Sequence, residues 1–268
     1  MKKIFKLGIA ALLLAFVFTA ISSITSAKAN ASNGSLSADL DGDGTKEEVA
    51  WEFDEEDRIV TSLTINGKDV YKATKTEPLY TPYEFEVKVV DTATKDKYKD
   101  LVVELSEDTK WFAIFRYDNG KITKYVDEET LTGSEIVSQK KKGVVKVSDY
   151  ILVDNIGNIF TDMSYKVKSG KAKFDKKQTF VPNKSNSTTT FKATEGMMVY
   201  KKDNCKTVKG ELKLGETFKI LKFKYDKSGD LCLVYIKTKS GVKGWINTKE
   251  FEGDEENRWL VEEPPLFG

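Results

Sequence analysis

Seven segments in the first 170 residues of this chain read as β-strands, and no long stretch of the chain has a helical period. EVAWEF (Glu48 to Phe53), RIVTSLTI (Arg58 to Ile65), FEVKVV (Phe85 to Val90), DLVVEL (Asp100 to Leu105), WFAIFRY (Trp111 to Tyr117), VVKVSDYILV (Val144 to Val153) and MSYKVKSG (Met163 to Gly170) are rich in β-branched and aromatic residues. Several alternate apolar and polar positions, the period of a strand with one face on a core. Asn66-Gly67 and Asp118-Asn119-Gly120 are hairpin-turn sequences between such runs. The expected fold class is all-β. PNKSNSTTT, residues 182–190, is polar, contains proline and lacks an apolar pattern, which predicts a linker between two domains.

The first 29 residues have a different grammar. Lys2, Lys3 and Lys6 precede an apolar run, Ile9 to Ile21, and SAKA (Ser26 to Ala29) supplies small residues, the layout of a secretory leader with cleavage after Ala29 or, alternatively, Ala31. The run is short for a membrane span, so no stable membrane insertion is expected after cleavage. No cysteine follows the run to take a lipid anchor. The lysine-rich leader points to a secreted, extracellular or cell-wall-associated protein of a Gram-positive type of bacterium.

Removing residues 1–29 takes four lysines and no acid, leaving 39 basic against 42 acidic groups, a net charge of −3. Such a balance gives no reason to expect nucleic acid as a partner. There is no histidine. That removes the commonest general base, the usual serine and cysteine triads and the usual zinc ligand sets, while carboxylate-only chemistry such as glycoside hydrolysis stays open. Cys205 and Cys232 are an even pair in an exported chain and are candidates for a disulfide, two separate buried thiols being the alternative.

The densest charge lies in ADLDGDGTKEEVAW, Ala38 to Trp51. With Asp39 as position 1, side-chain oxygens fall at Asp39, Asp41 and Asp43, Gly44 permits a sharp turn, Thr45 offers its carbonyl, and Glu47 closes the shell, with Glu48 as the alternative closing ligand. Like charges so close call for a cation between them, and oxygen-only ligands select calcium. An EF-hand would need an acid at position 12, which is Ala50. The loop instead resembles the Asp-x-Asp-x-Asp-Gly-x-x-acid loop that leads into a strand in FG-GAP/VCBS repeats of integrin-like β-propellers. The resemblance implies a repeat-type β-domain, blade-like or a sheet unit, over residues 32–181.

A degenerate second copy follows 52 residues later, where VVDTATKDKYKDLVV aligns Asp91 with Asp39 and Asp100 with Glu48. Ala93 and Lys95 replace Asp41 and Asp43, so an ammonium is expected to take over part of the ion's structural task there. Two repeats are too few to close a propeller, and a compact unit of blade-like hairpins is the expectation.

Between Ala193 and Phe251 the chain has a GxLxxG turn (Gly210 to Gly215), strands TFKILKF (Thr217 to Phe223) and LVYIKT (Leu233 to Thr238), and then Gly244-Trp245-Ile246. This order looks like a bacterial SH3 domain, which implies a small β-barrel over residues 191–252 and, as in that family, binding to peptidoglycan or its cross-bridges, or a spacer role. Trp245, Tyr200, Tyr225 and Tyr235 are the candidate ligand-binding aromatics, with core packing as the alternative role. Lysines run densely from Lys201 to Lys249 and either form a solvated face or attract anionic wall polymers. Residues 253–268 are an acidic tail expected to pack partly on a neighbouring domain. Three functional classes fit: a non-enzymatic surface protein holding a peptidoglycan or other cell-wall polymer, a carboxylate-based glycan hydrolase, or a partner or inhibitor of another exported protein.

Overall fold

The strand-patterned segments form antiparallel meanders, each strand pairing with the next along the chain. The computed structural model describes residues 25–27, 33–81, 84–92, 96–106, 110–127, 131–137, 143–169, 171–186, 188–253 and 259–266, the first of these by backbone alone. The leader expected at 1–29 otherwise lies outside the described residues. Sheet I comprises β2 (Gly34–Ala38), β3 (Glu47–Asp54), β4 (Ile59–Ile65) and β5 (Lys68–Asp69), with β6 (Leu79–Tyr80) added beside β4. Sheet II comprises β7 (Glu84–Val90), β8 (Asp100–Ser106), β9 (Lys110–Asp118) and β10 (Lys121–Val126). Sheet III comprises β11 (Glu135–Val137), β12 (Val144–Val153), β13 (Gly157–Lys168) and β14 (Lys171–Phe174). The fold is all-β, with three successive four-stranded meanders where the spacing of acidic loops indicates two repeats. The third leaves no such mark because its β11–β12 connection carries lysines instead of acids.

Local chemistry sets the corners. Asn66 and Gly67 have φ of 50° and 71°, and Asn119 and Gly120 have 48° and 83°, the paired left-handed geometry that lets a two-residue turn follow strand twist. Between β5 and β6 lies a five-residue helix, Val70–Thr74, capped by the Asp69 side chain, which accepts from the Lys72 N–H. It is too short to leave a helical period in the sequence.

Sheet II is the middle layer. On β8 and β9, Leu101, Val103, Leu105, Ala113 and Phe115 pack with Leu36, Val49, Trp51, Leu63 and Ile65 of sheet I. The alternate residues Val102, Phe112 and Ile114 pack with Val145, Val147, Ile159 and Met163 of sheet III. With both faces covered, the first six residues of β8 are all buried, so its sequence reads as a continuous apolar run broken only by acids. The outer edge of β7 is paired with a short strand, β1 (Thr25–Ala27), so a piece of the segment read as leader adds to this sheet. An exposed edge offers its N–H and C=O groups to any extended backbone.

Sheet IV runs in the order β15 (Thr190–Lys192), β18 (Thr217–Lys224), β19 (Leu233–Thr238), β20 (Lys243–Asn247), β16 (Met197–Tyr200) and β17 (Val208–Leu212). Its two edge strands are not paired with each other, so the closed barrel expected for residues 191–252 is replaced by an open six-stranded sheet. Its apolar face is covered from elsewhere. Phe180 exchanges backbone hydrogen bonds with Phe223, and Val261 of the C-terminal segment bridges Ala193. Phe180, Phe191, Phe218, Phe223, Leu260 and Val261 belong to the same buried cluster as the side chains of sheet III.

Residues 182–186 are held along sheet III, and Thr189 and Thr190 already pair with β18 of sheet IV. Asn183 N–H donates to the Phe160 carbonyl, and Asn186 closes on Phe160 from both sides, its side-chain oxygen accepting from Phe160 N–H at 2.9 Å and its amide donating to the Phe160 carbonyl at 2.7 Å. The asparagines that make this stretch look like a linker are the groups that fasten it to β13. Among the described residues no helix is long and apolar enough to cross a membrane.

Candidate metal centre

Three carboxylates meet in the β2–β3 loop. Asp39, Asp41 and Asp43 each bring an oxygen to within 4.8 Å of the others, an arrangement that could hold a metal ion. The backbone shapes the loop around them. Asp39 accepts from the N–H of Gly42 at 2.7 Å and of Gly44 at 3.2 Å, Asp41 from Asp43 N–H, and Asp43 from Thr45 N–H. Gly42 and Gly44 have φ of 70° and 92°, a region that disfavours side chains. At Gly42 a Cβ would also stand 2.4 Å from the Lys97 carbonyl, so only glycine fits against the neighbouring loop.

Strand alternation separates the two glutamates. Glu47 opens β3 facing inward, is buried, and accepts from Leu40 N–H at 2.8 Å. Glu48 points to the opposite, exposed side of β3, so Glu47 is the one placed at the loop and the alternative closing ligand is turned away. Thr45 is exposed at the loop's end. Asp41, 3% exposed, reaches across the layers and accepts from Asn119 N–H at 2.9 Å, while the Leu40 carbonyl accepts from Lys99 N–H at 2.8 Å. The acidic loop is thus wedged between sheets I and II.

The second loop, β7–β8, solves the same charge problem internally. Pairing of Ala38 with Glu47 and of Val90 with Asp100 places Asp100 where Glu47 stands, one position away from the alignment with Glu48. The loop of residues 91–99 is one residue longer than that of 39–46, which a fixed spacing cannot reveal. Asp100, fully buried, takes both arms of a guanidinium: Arg116 Nε donates to Oδ1 at 2.7 Å and an Nη to Oδ2 at 2.8 Å. The other Nη reaches Asp96 at 3.0 Å, and Thr92 Oγ1 also donates to Asp100. The Tyr98 and Tyr125 rings lie 5.0 and 4.5 Å from the guanidinium carbon. Burial works against the charge of Arg116, yet the hydrogen bonds and charge of Asp100, with Asp96 behind, leave its pKa raised.

The cation expected from the sequence, Lys95, lies outside the described residues. The cation that the structure places there, Arg116, is in the sequence only a member of strand WFAIFRY. A lone arginine in an apolar strand is the available signal.

Electrostatics separates the two loops. No lysine or arginine among the described residues is ion-paired with Asp39, Asp41 or Asp43. At 4.8 Å two ionised carboxylates repel by about 3.5 kcal/mol for an effective dielectric of about 20, and solvent screens part of this at the exposed Asp43. Backbone N–H groups offset part of this cost.

The aromatic candidates fall into two groups. Trp245 and Tyr235 meet edge to face at 5.2 Å with Tyr200 alongside, and Lys222 Nζ lies over both rings at 5.2 and 4.9 Å. The Tyr200 hydroxyl donates to Glu250 at 2.8 Å, which with burial pushes its pKa up to about 12. Tyr225 stands apart, edge-on to Phe174 and Phe180 in the core that joins sheets III and IV.

Of the two alternatives for Cys205 and Cys232 the structure has separate thiols, both free. Both pack in the small Trp245 cluster, but Cys232 is interior just before β19 and Cys205 sits in the β16–β17 turn at a φ of 50°. Burial raises the Cys232 thiol to about 12 and the Cys205 thiol to about 11, so both remain protonated near neutral pH.

Comparison with known proteins finds no family model, no curated protein and no solved structure that matches the chain. The functional reading therefore stands on the residues and their geometry.

Proposed function

We propose that the protein is an exported, non-catalytic binding protein of the cell surface, whose first two meanders are locked by calcium at Asp39, Asp41 and Asp43 and whose partner is a cell-wall polymer. The observation that carries the metal reading is the contrast between equivalent loops. One neutralises buried acids with Arg116, and the other gathers three carboxylates with no internal cation among the described residues. Oxygen-only ligands of high charge favour a hard cation, and three carboxylates that are not arranged as a strict octahedron suit calcium better than magnesium. Export is supported by the leader-like N-terminus.

The test is thermal unfolding with calcium, magnesium or chelator. For a dissociation constant near 0.1 mM, about 1 mM calcium stabilises by roughly 1.4 kcal/mol, a rise of a few degrees. Asp41→Ala should lose that rise. An equal rise in the variant, or none in the wild type, sinks the calcium reading.

One observation favours the hydrolase reading. Asp154 has its pKa raised, first by burial and then by the charge of Asp230, with Lys249 opposing and Asp226 adding to the rise, and it lines an open groove with Trp259 and Lys249. A raised-pKa acid beside an aromatic is one half of what a glycan-cleaving site requires, the other being a second carboxylate across the scissile bond. Release of reducing ends from peptidoglycan by the wild type, abolished in Asp154→Asn, would replace the non-catalytic reading. We expect no release from either protein.

A further inference from the structure

Sheets III and IV enclose a groove of about 500 Å³ that no part of the metal reading uses. Lys176 and Lys177, just after β14, face it from sheet III. Lys224 and Lys227, from the end of β18 and the following loop, face it from sheet IV. The ring of Tyr225 also lines it, fixed edge-on to Phe174 and Phe180 and covered on one side by Lys176 Nζ at 5.7 Å.

The nearby acids are already committed. Asp203 is ion-paired with Lys224, and Asp175 with Lys166 at 2.9 Å. Asp226 accepts from the N–H groups of Ser228, Gly229 and Asp230 and lies 3.5 Å from Lys249, so its pKa is lowered although burial opposes this. Lys176, Lys177 and Lys227 are in no ion pair among the described residues. Packing of Phe180 on Phe223 holds these like charges toward one concavity instead of letting the two sheets part. A fold that fixes ammonium groups around a groove concentrates anions there.

We infer that this groove binds a linear phosphodiester polymer of the glycerol-phosphate kind, with Lys176, Lys177 and Lys227 on successive phosphates and Tyr225 against the backbone between them. Ammonium groups suit phosphate as point charges and need no planar fork. A single, edge-packed tyrosine offers no platform for successive bases, which argues against single-stranded nucleic acid as the occupant. The choice of polymer rests on the cell-surface reading, whereas the groove itself does not.

The experiment titrates the purified protein with poly(glycerol phosphate) by calorimetry at several salt concentrations, with a dT oligonucleotide as the second phosphodiester. The triple variant Lys176→Glu, Lys177→Glu, Lys227→Glu should bind about tenfold or more weakly and lower the log–log salt slope by about 2, near 0.7 for each phosphate that is no longer neutralised. The control triple Lys209→Glu, Lys213→Glu, Lys237→Glu makes the same charge change at exposed positions outside the groove and should bind nearly as the wild type does. Equal losses in both triples would reduce the effect to net charge and overturn the inference, as would absence of wild-type binding. Tighter binding of the oligonucleotide would overturn the choice of polymer. The calcium-induced melting shift is read on the same samples, so its failure leaves the groove standing and its presence does not support the groove.

Discussion

Replacing Arg116 with methionine is expected to destabilise the protein by about 3–5 kcal/mol, much of the stability of an ordinary domain. The guanidinium is the main cationic partner of Asp100, whose side chain is fully buried, and it also holds Asp96. Methionine keeps an apolar stem of similar shape but gives up the guanidinium's contacts with Tyr98 and Tyr125 and leaves a buried carboxylate without its counter-charge. The cost is that of the orphaned charge more than of the missing hydrogen bonds. Asp100→Asn added to Arg116→Met should therefore recover a large part of the loss, because the amide needs no counter-ion and can still accept from Thr92. Urea unfolding of the two single variants and the double variant, followed by tryptophan fluorescence, measures the coupling. Additive losses would mean that Arg116 does not serve as the internal cation of the second loop.

The second large effect is expected at Phe180, which joins sheets III and IV. Its ring is fully buried and stacks on Phe223 at 5.3 Å, with Phe174 and Tyr225 around it. Phe180→Ala should cost about 3–5 kcal/mol, the range for a truncated core aromatic. The shape of the transition is as informative as its midpoint. The wild type should unfold sheets III and IV in one cooperative step, because one buried cluster spans both. The variant should either keep one step at lower denaturant or separate into two as the seam fails. Two well-separated wild-type transitions and an unaffected midpoint in the variant would show independent domains on a tether, the arrangement that the composition of residues 182–190 suggests.

Much of this architecture is legible in the sequence, for local reasons. Strand identity follows from β-branched and aromatic runs, and the turns at Asn66-Gly67 and Asn119-Gly120 follow from residues that tolerate positive φ. The acidic loop is conspicuous because Asp39, Asp41 and Asp43 lie within five positions and the glycines that bend it are beside them. Assigning Glu47 over Glu48 needs only the side on which β3 buries its residues, but a one-residue uncertainty in strand start reverses that choice.

What the sequence leaves open depends on partners far along the chain. Arg116 neutralises acids 16 and 20 positions away, and nothing in WFAIFRY states which carboxylates its guanidinium meets. Asp41 accepts from Asn119, 78 positions away, so the seating of the loop against sheet II is a property of stacked layers. The same holds for the third meander, for the open sheet that stands in place of a barrel, and for lysines 176, 177 and 227, which share a groove only because Phe180 packs on Phe223. Composition and local spacing determined that this chain is built of strands and carries one loop fit for a cation, since those depend on neighbours in the chain. The neutralised twin of that loop, the seam between sheets III and IV and the charged groove beside it were decided by tertiary packing, because each joins side chains whose mutual distance no local pattern encodes.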